Sequence, residues 1–390
     1  MLDIASLEDK IESSLLFAKS CNYSSGDISD LYYTKYYRIA KALPTKLSKA
    51  ANWPYALLLN KKPSWVRTLI NENPKKYPQG IAMVIRGLVV LHEKNHPLGD
   101  IGEAVTLGNW LIENKSPISK HAGWGQPFDW QSRSLIFPKN LPRATVTSQV
   151  MHALLDLFEV TQNQEFLDNA VDAAHLFKNE FHYVEDVDEN HCISYTTLDQ
   201  YHIHNASMLA AGAIIRATSF QKDDELIDFA VKAARFTASH QNEDGSFYYW
   251  APPDKLNYMI DNFHTGFVLE GFWNVIKYGE GQEFDIVYDK GMKYYYDELF
   301  IGNIPKFTKH KTYPVDIQSC AQSIISFAMD KNNNKYVKLA NEVAQFTNEN
   351  MFLNEKSHFA YKLFENGRLD ESYYIRWGDA WMIRALALLI

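Results

Sequence analysis

YIRWGDAWMIRALALLI, residues 374–390, joins two textures that do not ordinarily belong to one helix. From Ala380 the run is almost wholly apolar, as in a helix buried around its whole circumference. Yet Arg376, Trp377, Asp379 and Trp381 crowd the positions with which it begins. A buried helix starts this way when its body packs among other helices while its first turn opens onto a cavity. The rest of the chain should then supply further helices of the same kind around the same opening.

It supplies five. AMVIRGLVVL from Ala82, SQVMHALLDLF from Ser148, NASMLAAGAII from Asn205, HTGFVLEGFW from His264 and QSCAQSIISFAM from Gln318 are each apolar on most faces. Between them lie amphipathic segments: IGEAVTLGNWL from Ile101, LDNAVDAAHLF from Leu167, IDFAVKAARFT from Ile227, VKLANEVAQFT from Val337 and, more loosely, IVYDKGMKYY from Ile286. In the four closer ones Ala104, Ala170, Ala230 or Ala340 is followed four positions on by Gly108, Ala174, Ala234 or Ala344, then two later by Trp110, Leu176, Phe236 or Phe346. That spacing gathers three apolar side chains on one helical face and leaves the charges on the other. Six inner helices thus alternate with five outer ones, and residues 6–19 or 36–43 offer a sixth outer partner. The natural closed solution is an all-α (α/α)6 toroid. It is read as one domain over residues 1–390, with residues 1–76 an N-terminal helical segment closing the outer ring. The connections into the inner helices run to about 25 residues, long enough to predict short β-hairpins in runs such as CISYTTLDQ, NEDGSFYYW and FAYKLFENGR.

In such a ring the inner-helix starts meet at one mouth, and each of five is preceded by a polar and aromatic cluster: WGQPFDWQSR, LDQYHIHN, YMIDNFHTG, TYPVDIQS and YIRWGD. Asp261, Asp316 and Asp379 are carboxylates at these starts. Aspartate is also a favoured N-cap, so each has a structural reading beside a catalytic one. Two of them, or one with Asp129 or Asp199, would flank a glycosidic bond as acid and base or nucleophile. Asp261 and His264 rank first, because a spacing of three on the first helical turn lets carboxylate and imidazole act on one ligand. Tyr201, His202, His204 and Asn205 form a second cluster. A Tyr/His pair moves a proton beside a uronate carboxylate when a cation such as Arg376 holds the charge that develops. Trp124, Trp130, Tyr258, Tyr313, Tyr374 and Trp377 are either stacking platforms for sugar faces or packing between hairpins. The expected catalytic set is therefore Asp261, His264, Tyr201, His202 and Asp316. The expected substrate-binding set is Trp124, Asp129, Trp130, His204, Tyr258, Tyr313, Tyr374, Arg376, Trp377 and Asp379. Glu270, deep in an inner helix, is expected to be buried and paired near the floor.

Composition narrows the partners. Hydrophobic residues make up 46% and charged residues 22%, enough for a large core and unlike a disordered chain. Aromatics reach 14%, which suits clefts lined with flat rings. A net charge of −8 argues against a nucleic-acid footprint. Cys21, Cys192 and Cys320 are far apart with no CxxC, and no HExxH occurs, so neither a disulfide framework, a metal nor a cofactor is expected. MLDIASLEDKIESS lacks the pattern of a leader, and no apolar run is long enough to span a bilayer, so a cytoplasmic location is expected.

WGQPFDWQSR, FPKNLPRATVTSQVMHALLD, QNEDGSFYYW, IDNFHTGF, TYPVDIQSCAQ and YIRWGDAWM together resemble the VpsJ-like polysaccharide-biosynthesis proteins, from about Tyr77 to the C-terminus. The resemblance implies a six-hairpin glycosidase-like, terpenoid-cyclase-like toroid and a setting in exopolysaccharide, O-antigen or capsule synthesis. The chain departs from the pattern at Gly378 and Asp379, where a Ser-Gln-like pair is expected in relatives. QNEDGSFYYW also resembles the glutamine-tryptophan repeats of triterpene cyclases, whose DxDD acid motif this sequence lacks. The expected function is that of a carbohydrate-active protein working on an oligo- or polysaccharide in a central cleft, as a glycoside hydrolase or as a uronate lyase or epimerase. A non-catalytic glycan-binding or assembly scaffold and an isoprenoid-cyclase-like enzyme are the alternatives.

Overall fold

The computed structural model describes residues 3–30, 73–131, 135–251, 259–330 and 333–390, with the isolated positions 39 and 47. Twelve α-helices lie within the described residues and form two sets. The inner ones are α2 (Pro78–Glu93), α4 (Ala144–Thr161), α6 (His204–Phe220), α8 (Asn262–Tyr278), α10 (Ile317–Met329) and α12 (Asp379–Ala387). The outer ones are α1 (Ile4–Ser20), α3 (Ile101–Glu113), α5 (Gln164–Asn179), α7 (Asp224–Ser239), α9 (Asp285–Glu298) and α11 (Asn334–Met351). Each inner helix packs against the inner helices before and after it, and α12 packs against α2, so the ring closes. Each outer helix packs against an inner one, α1 against α12. This is the (α/α)6 toroid that the alternating texture implies. Of the two stretches offered as sixth outer partner, residues 6–19 fall in α1, and residues 36–43 lie outside the described residues.

The sequence reasons for the two sets are visible in burial. On α7, Asp223 caps the backbone N–H groups of Glu225 and Leu226, and Leu226, Phe229, Ala230, Ala233, Ala234 and Phe236 turn inward, leaving the charges to solvent. On α6 every residue from His204 to Thr218 is buried. Helices α6 and α8 approach closely at Gly271, where a Cβ would lie 2.5 Å from the Met208 carbonyl oxygen.

Short antiparallel hairpins occupy the connections from outer to inner helices, as at Trp130–Gln131 with Ile136–Phe137 and at Tyr183–Glu185 with His191–Ile193. In the turn after α7, Gly245 adopts φ +93°, a backbone conformation that side chains disfavour. The segment after α1 is stitched to the start of α12: Ser25 Oγ accepts the Ile375 N–H at 3.0 Å, and Asp27 holds Arg376.

Below the mouth the ring axis is closed by charge rather than by apolar packing. Glu270 of α8 takes Arg384 of α12 at 2.7 Å, Arg86 of α2 at 3.4 Å and the Gln322 amide of α10 at 3.1 Å. Asp156 of α4 takes Arg86 at 3.1 Å and Arg216 of α6 at 2.6 Å, and Glu159 takes Arg216 at 2.5 Å. Three guanidiniums therefore meet three carboxylates, with all six inner helices contributing, and Glu270 sits at the floor as its position in the sequence implies. No helix among the described residues is long and apolar enough to cross a membrane.

Candidate active site

All six inner helices begin at the same end of the ring, and their first turns surround a cavity of about 590 Å³. Gln79, Thr145, Asn205, Phe263 and Gln318, each the second residue of its helix, line it. The preceding connections add Gln126, Phe128, Trp130, Arg143, Tyr195, Tyr201, Tyr249, Trp250, Arg376 and Trp377, while Ile28 and Ser29 reach in from the segment after α1. The wall is thus rich in flat rings and side-chain amides.

Asp261 is the N-cap of α8. Its Oδ1 accepts the His264 backbone N–H at 2.9 Å, and its Oδ2 lies 2.6 Å from His264 Nδ1. Because a carboxylate only accepts, Nδ1 is the protonated nitrogen and Nε2 carries the lone pair of the neutral ring. The imidazole is held between Tyr249 and Phe263, with ring centroids 4.5 and 4.1 Å away. His264 lines the cavity, and Asp261 stands behind it on a small adjoining pocket shared with Asn205, Tyr248 and Tyr249. Burial, with Tyr195 and Asp261 nearby, pushes the Tyr249 hydroxyl well above the ordinary phenol range, so it stays protonated and able to donate.

Two guanidiniums face the cavity. Arg376 is engaged by Asp27 in a two-pronged pair, Nε to Oδ2 at 2.5 Å and Nη2 to Oδ1 at 2.8 Å. Arg143 lies with its Cζ 4.9 Å from the centre of the Trp130 ring. Among the described residues no Asp or Glu lines the cavity.

Of the residues singled out in the sequence, Trp130, Tyr201, Asn205, His264, Arg376 and Trp377 come together on the wall, with Asp261 directly behind. The other described ones do not reach it. Asp316 caps α10 through the Gln318 N–H at 3.0 Å and accepts the Trp377 indole N–H at 3.1 Å, which makes it a support for the wall. Trp124 is fully buried, with its indole bound to the Leu111 carbonyl at 2.8 Å. Asp129 accepts the Lys139 N–H at 2.9 Å. His202 packs on Phe236, and His204 faces Thr237 Oγ1 at 3.4 Å, both buried between α6 and α7. Asp199 takes the N–H groups of Tyr195 and Tyr201 and so staples the loop that carries Tyr201. Tyr374 packs edge-on against Tyr361, and Tyr313 precedes the cis bond to Pro314 while packing against the core. Tyr258 lies outside the described residues. Among the described residues no three His, Cys, Asp or Glu side chains stand close enough to hold a metal ion.

Asp379 is also away from the wall. Its Oδ1 accepts the Phe359 N–H at 3.1 Å, its Oδ2 has no partner, and burial pushes the carboxyl up to about 7. A carboxyl raised on folding stabilises the fold when protonated, fully below its unfolded value near 3.8, and loses that contribution as pH rises through 7. The wild-type protein should therefore lose ~2–4 kcal/mol of stability relative to Asp379→Asn between pH 4 and pH 8. Urea unfolding of both at each pH checks this; a difference that stays constant or grows the other way contradicts it.

Arg143, Tyr249, Gln318, Gln79 and Gln126 are wall residues that the sequence reading did not single out. The available signal was the position just before or just inside each inner helix. It was missed at Arg143 because α4 begins at Ala144, four residues before the apolar pattern that starts at Ser148.

No family model matches the sequence, and no curated protein matches it. Solved structures do match. Cellobiose 2-epimerase from Bacillus thermoamylovorans superposes with a TM-score of 0.59 at 9% identity, over 80% of this chain and 87% of its own. The GH76 alpha-mannanase of Bacteroides thetaiotaomicron gives 0.60 at 11%, over 82% and 87%. A D-mannose isomerase gives 0.59 at 12%, over 82% and 88%. The fold is the six-hairpin glycosidase-like toroid. At these identities the likeness is one of architecture, and it covers about four-fifths of the chain.

Proposed function

We propose that residues 1–390 form one working unit, a carbohydrate-active enzyme of surface-polysaccharide synthesis that moves a proton on a sugar carbon, with epimerisation or elimination as the outcome. The observation that carries this is the make-up of the wall: among the described residues it holds an imidazole backed by a carboxylate, and no Asp or Glu of its own. Glycoside hydrolysis ordinarily needs two carboxyl groups facing one bond. Asp261 is engaged by His264 and a backbone N–H, and Asp316 by Gln318 and Trp377, so neither is free to face a sugar. The solved structures that share the fold include an epimerase and an isomerase as well as a mannanase, and the resemblance to VpsJ-like proteins supports the surface-glycan setting.

In this reading His264 Nε2 accepts a proton from a carbon next to a carboxyl or carbonyl group, and the electron pair of that C–H bond moves onto the group's oxygen. Asp261 steadies the imidazolium that results. In epimerisation a proton returns to the opposite face of the same carbon from Tyr249 or Tyr201, and the imidazolium then gives up its proton to water while the tyrosinate takes one from it, which restores both residues. In elimination the C–O bond one carbon further breaks instead, and the leaving oxygen takes the proton. Trp130, Trp250, Phe263 and Trp377 offer apolar faces to the ring.

Incubation with bacterial surface glycans in deuterium oxide tests this. Deuterium on a sugar stereocentre, or the absorbance of an unsaturated sugar, is the expected result. New reducing ends with neither of these would replace proton transfer with hydrolysis, and binding with no product would leave a scaffold.

A further inference from the structure

We propose that Arg143 is the receptor for a carboxylate and that the sugar taken by the cavity is acidic. This deepens the proton-transfer reading and rests on it, since a carboxyl group is what would acidify the adjoining C–H bond.

Arg143 is only 5% exposed, yet its guanidinium lines the cavity and its Nε has no hydrogen-bond partner. Its contacts are the Trp130 ring and the Tyr195 hydroxyl; Asp27 lies near enough to favour its charge, but that carboxylate is paired with Arg376, so two guanidiniums share one carboxylate among the described residues. Arg376, its neighbour on the wall, is matched by Asp27, and on the floor three guanidiniums are matched by three carboxylates. A guanidinium does not shed its proton, so a buried one without a counter-ion is destabilising unless something outside the chain supplies the charge. Burial, the largest influence on Arg143, disfavours its charged form, in keeping with a site that is incomplete without its ligand.

The ligand's charge follows from the count. One unmatched cation calls for one negative charge, and the guanidinium fork fits the two oxygens of a carboxylate. A phosphate dianion would leave a charge over. The rest of the ligand follows from the side-chain amides on the same wall, since Gln79, Gln126, Asn205 and Gln318 line the cavity and the oxygen of an amide accepts hydrogen bonds. Hydroxyl groups supply donors to such atoms, and a phosphate or a fatty acid brings none. A ring that carries several hydroxyls and one carboxylate matches a wall of amides beside one unmatched guanidinium, and that is a uronic acid.

The test uses matched probes: glucuronate and galacturonate oligosaccharides, the same oligosaccharides after reduction of their carboxyls to alcohols, and glucose 6-phosphate. Calorimetric titration of the full chain carrying His264→Gln, which holds substrate unreacted, should show at least one acidic form bound roughly tenfold or more tighter than its reduced form. Adding Arg143→Gln should erase that preference, and adding Arg143→Lys should keep part of it. Equal binding of both forms, binding of neither, a preference that survives Arg143→Gln, or a stronger preference for the phosphate would each overturn the proposal. The ligand-free Arg143→Gln protein supplies an independent readout: it should melt at or above the wild-type temperature, whereas a clear drop would mean that the charge is balanced within the fold. An acidic preference without deuterium uptake would sink proton transfer and keep this subsite. Deuterium uptake on a neutral glycan would do the reverse.

Discussion

Replacing His264 by Gln should lower turnover by roughly 10²–10⁴, the usual contribution of a general base, with the melting temperature nearly unchanged. The expectation of stability rests on what holds α8 in place. The cap on its first turn is made by the Asp261 side chain and the His264 backbone, which the substitution leaves intact. Asp261→Asn separates capping from chemistry in the same way, because Asn caps a helix about as well as Asp but cannot offer His264 Nδ1 a charged acceptor. A stable Asp261→Asn protein should therefore also lose activity, by less than His264→Gln does. Steady-state turnover with the deuterium assay, beside thermal melts, reads both effects. Full activity in either variant would remove the pair from the mechanism and shift attention to Tyr201 and Tyr249.

Replacing Glu270 by Gln should have the largest effect on the fold, a loss of about 3–5 kcal/mol at pH 7, because it leaves Arg384 and Arg86 buried beside each other without their shared counter-ion. Denaturant midpoints measure this directly. Burial alone would push the Glu270 carboxyl up, but Arg384 and Arg86 outweigh it and hold the group below its ordinary value. A lowered carboxyl gives stability that is complete above its unfolded value near 4.5 and is lost as pH falls through the folded one. The wild-type and Glu270→Gln proteins should thus draw closer in stability as pH falls below about 4.5. A small loss at pH 7 would mean that the floor relaxes around Arg384, while Arg86 keeps Asp156.

The ring was legible because its two textures are local: an all-apolar helix and a one-faced helix differ within eleven residues. The direction in which the cavity opens was legible for the same reason, since polar and aromatic clusters mark one end of five of the six inner helices. What each side chain does at that end was less so. Asp261 and His264 are three apart, and their pairing follows from helix geometry. Arg376 and Asp27 are 349 positions apart, and nothing near either one signals the other. Trp124, His202 and Asp316 carry the right chemistry at the right end, but a loop's path decides whether a side chain faces the cavity or the packing behind it. In these three it faces the packing.

Five of the wall residues occupy the same place, second in an inner helix, and the contacts that hold the ring lie further along each helix. Exchanging Gln79, Thr145, Asn205, Phe263 or Gln318 would change the lining without asking any helix to move. The mouth therefore works as a set of dials on a fixed instrument, so that one architecture can be retuned from ligand to ligand by single substitutions.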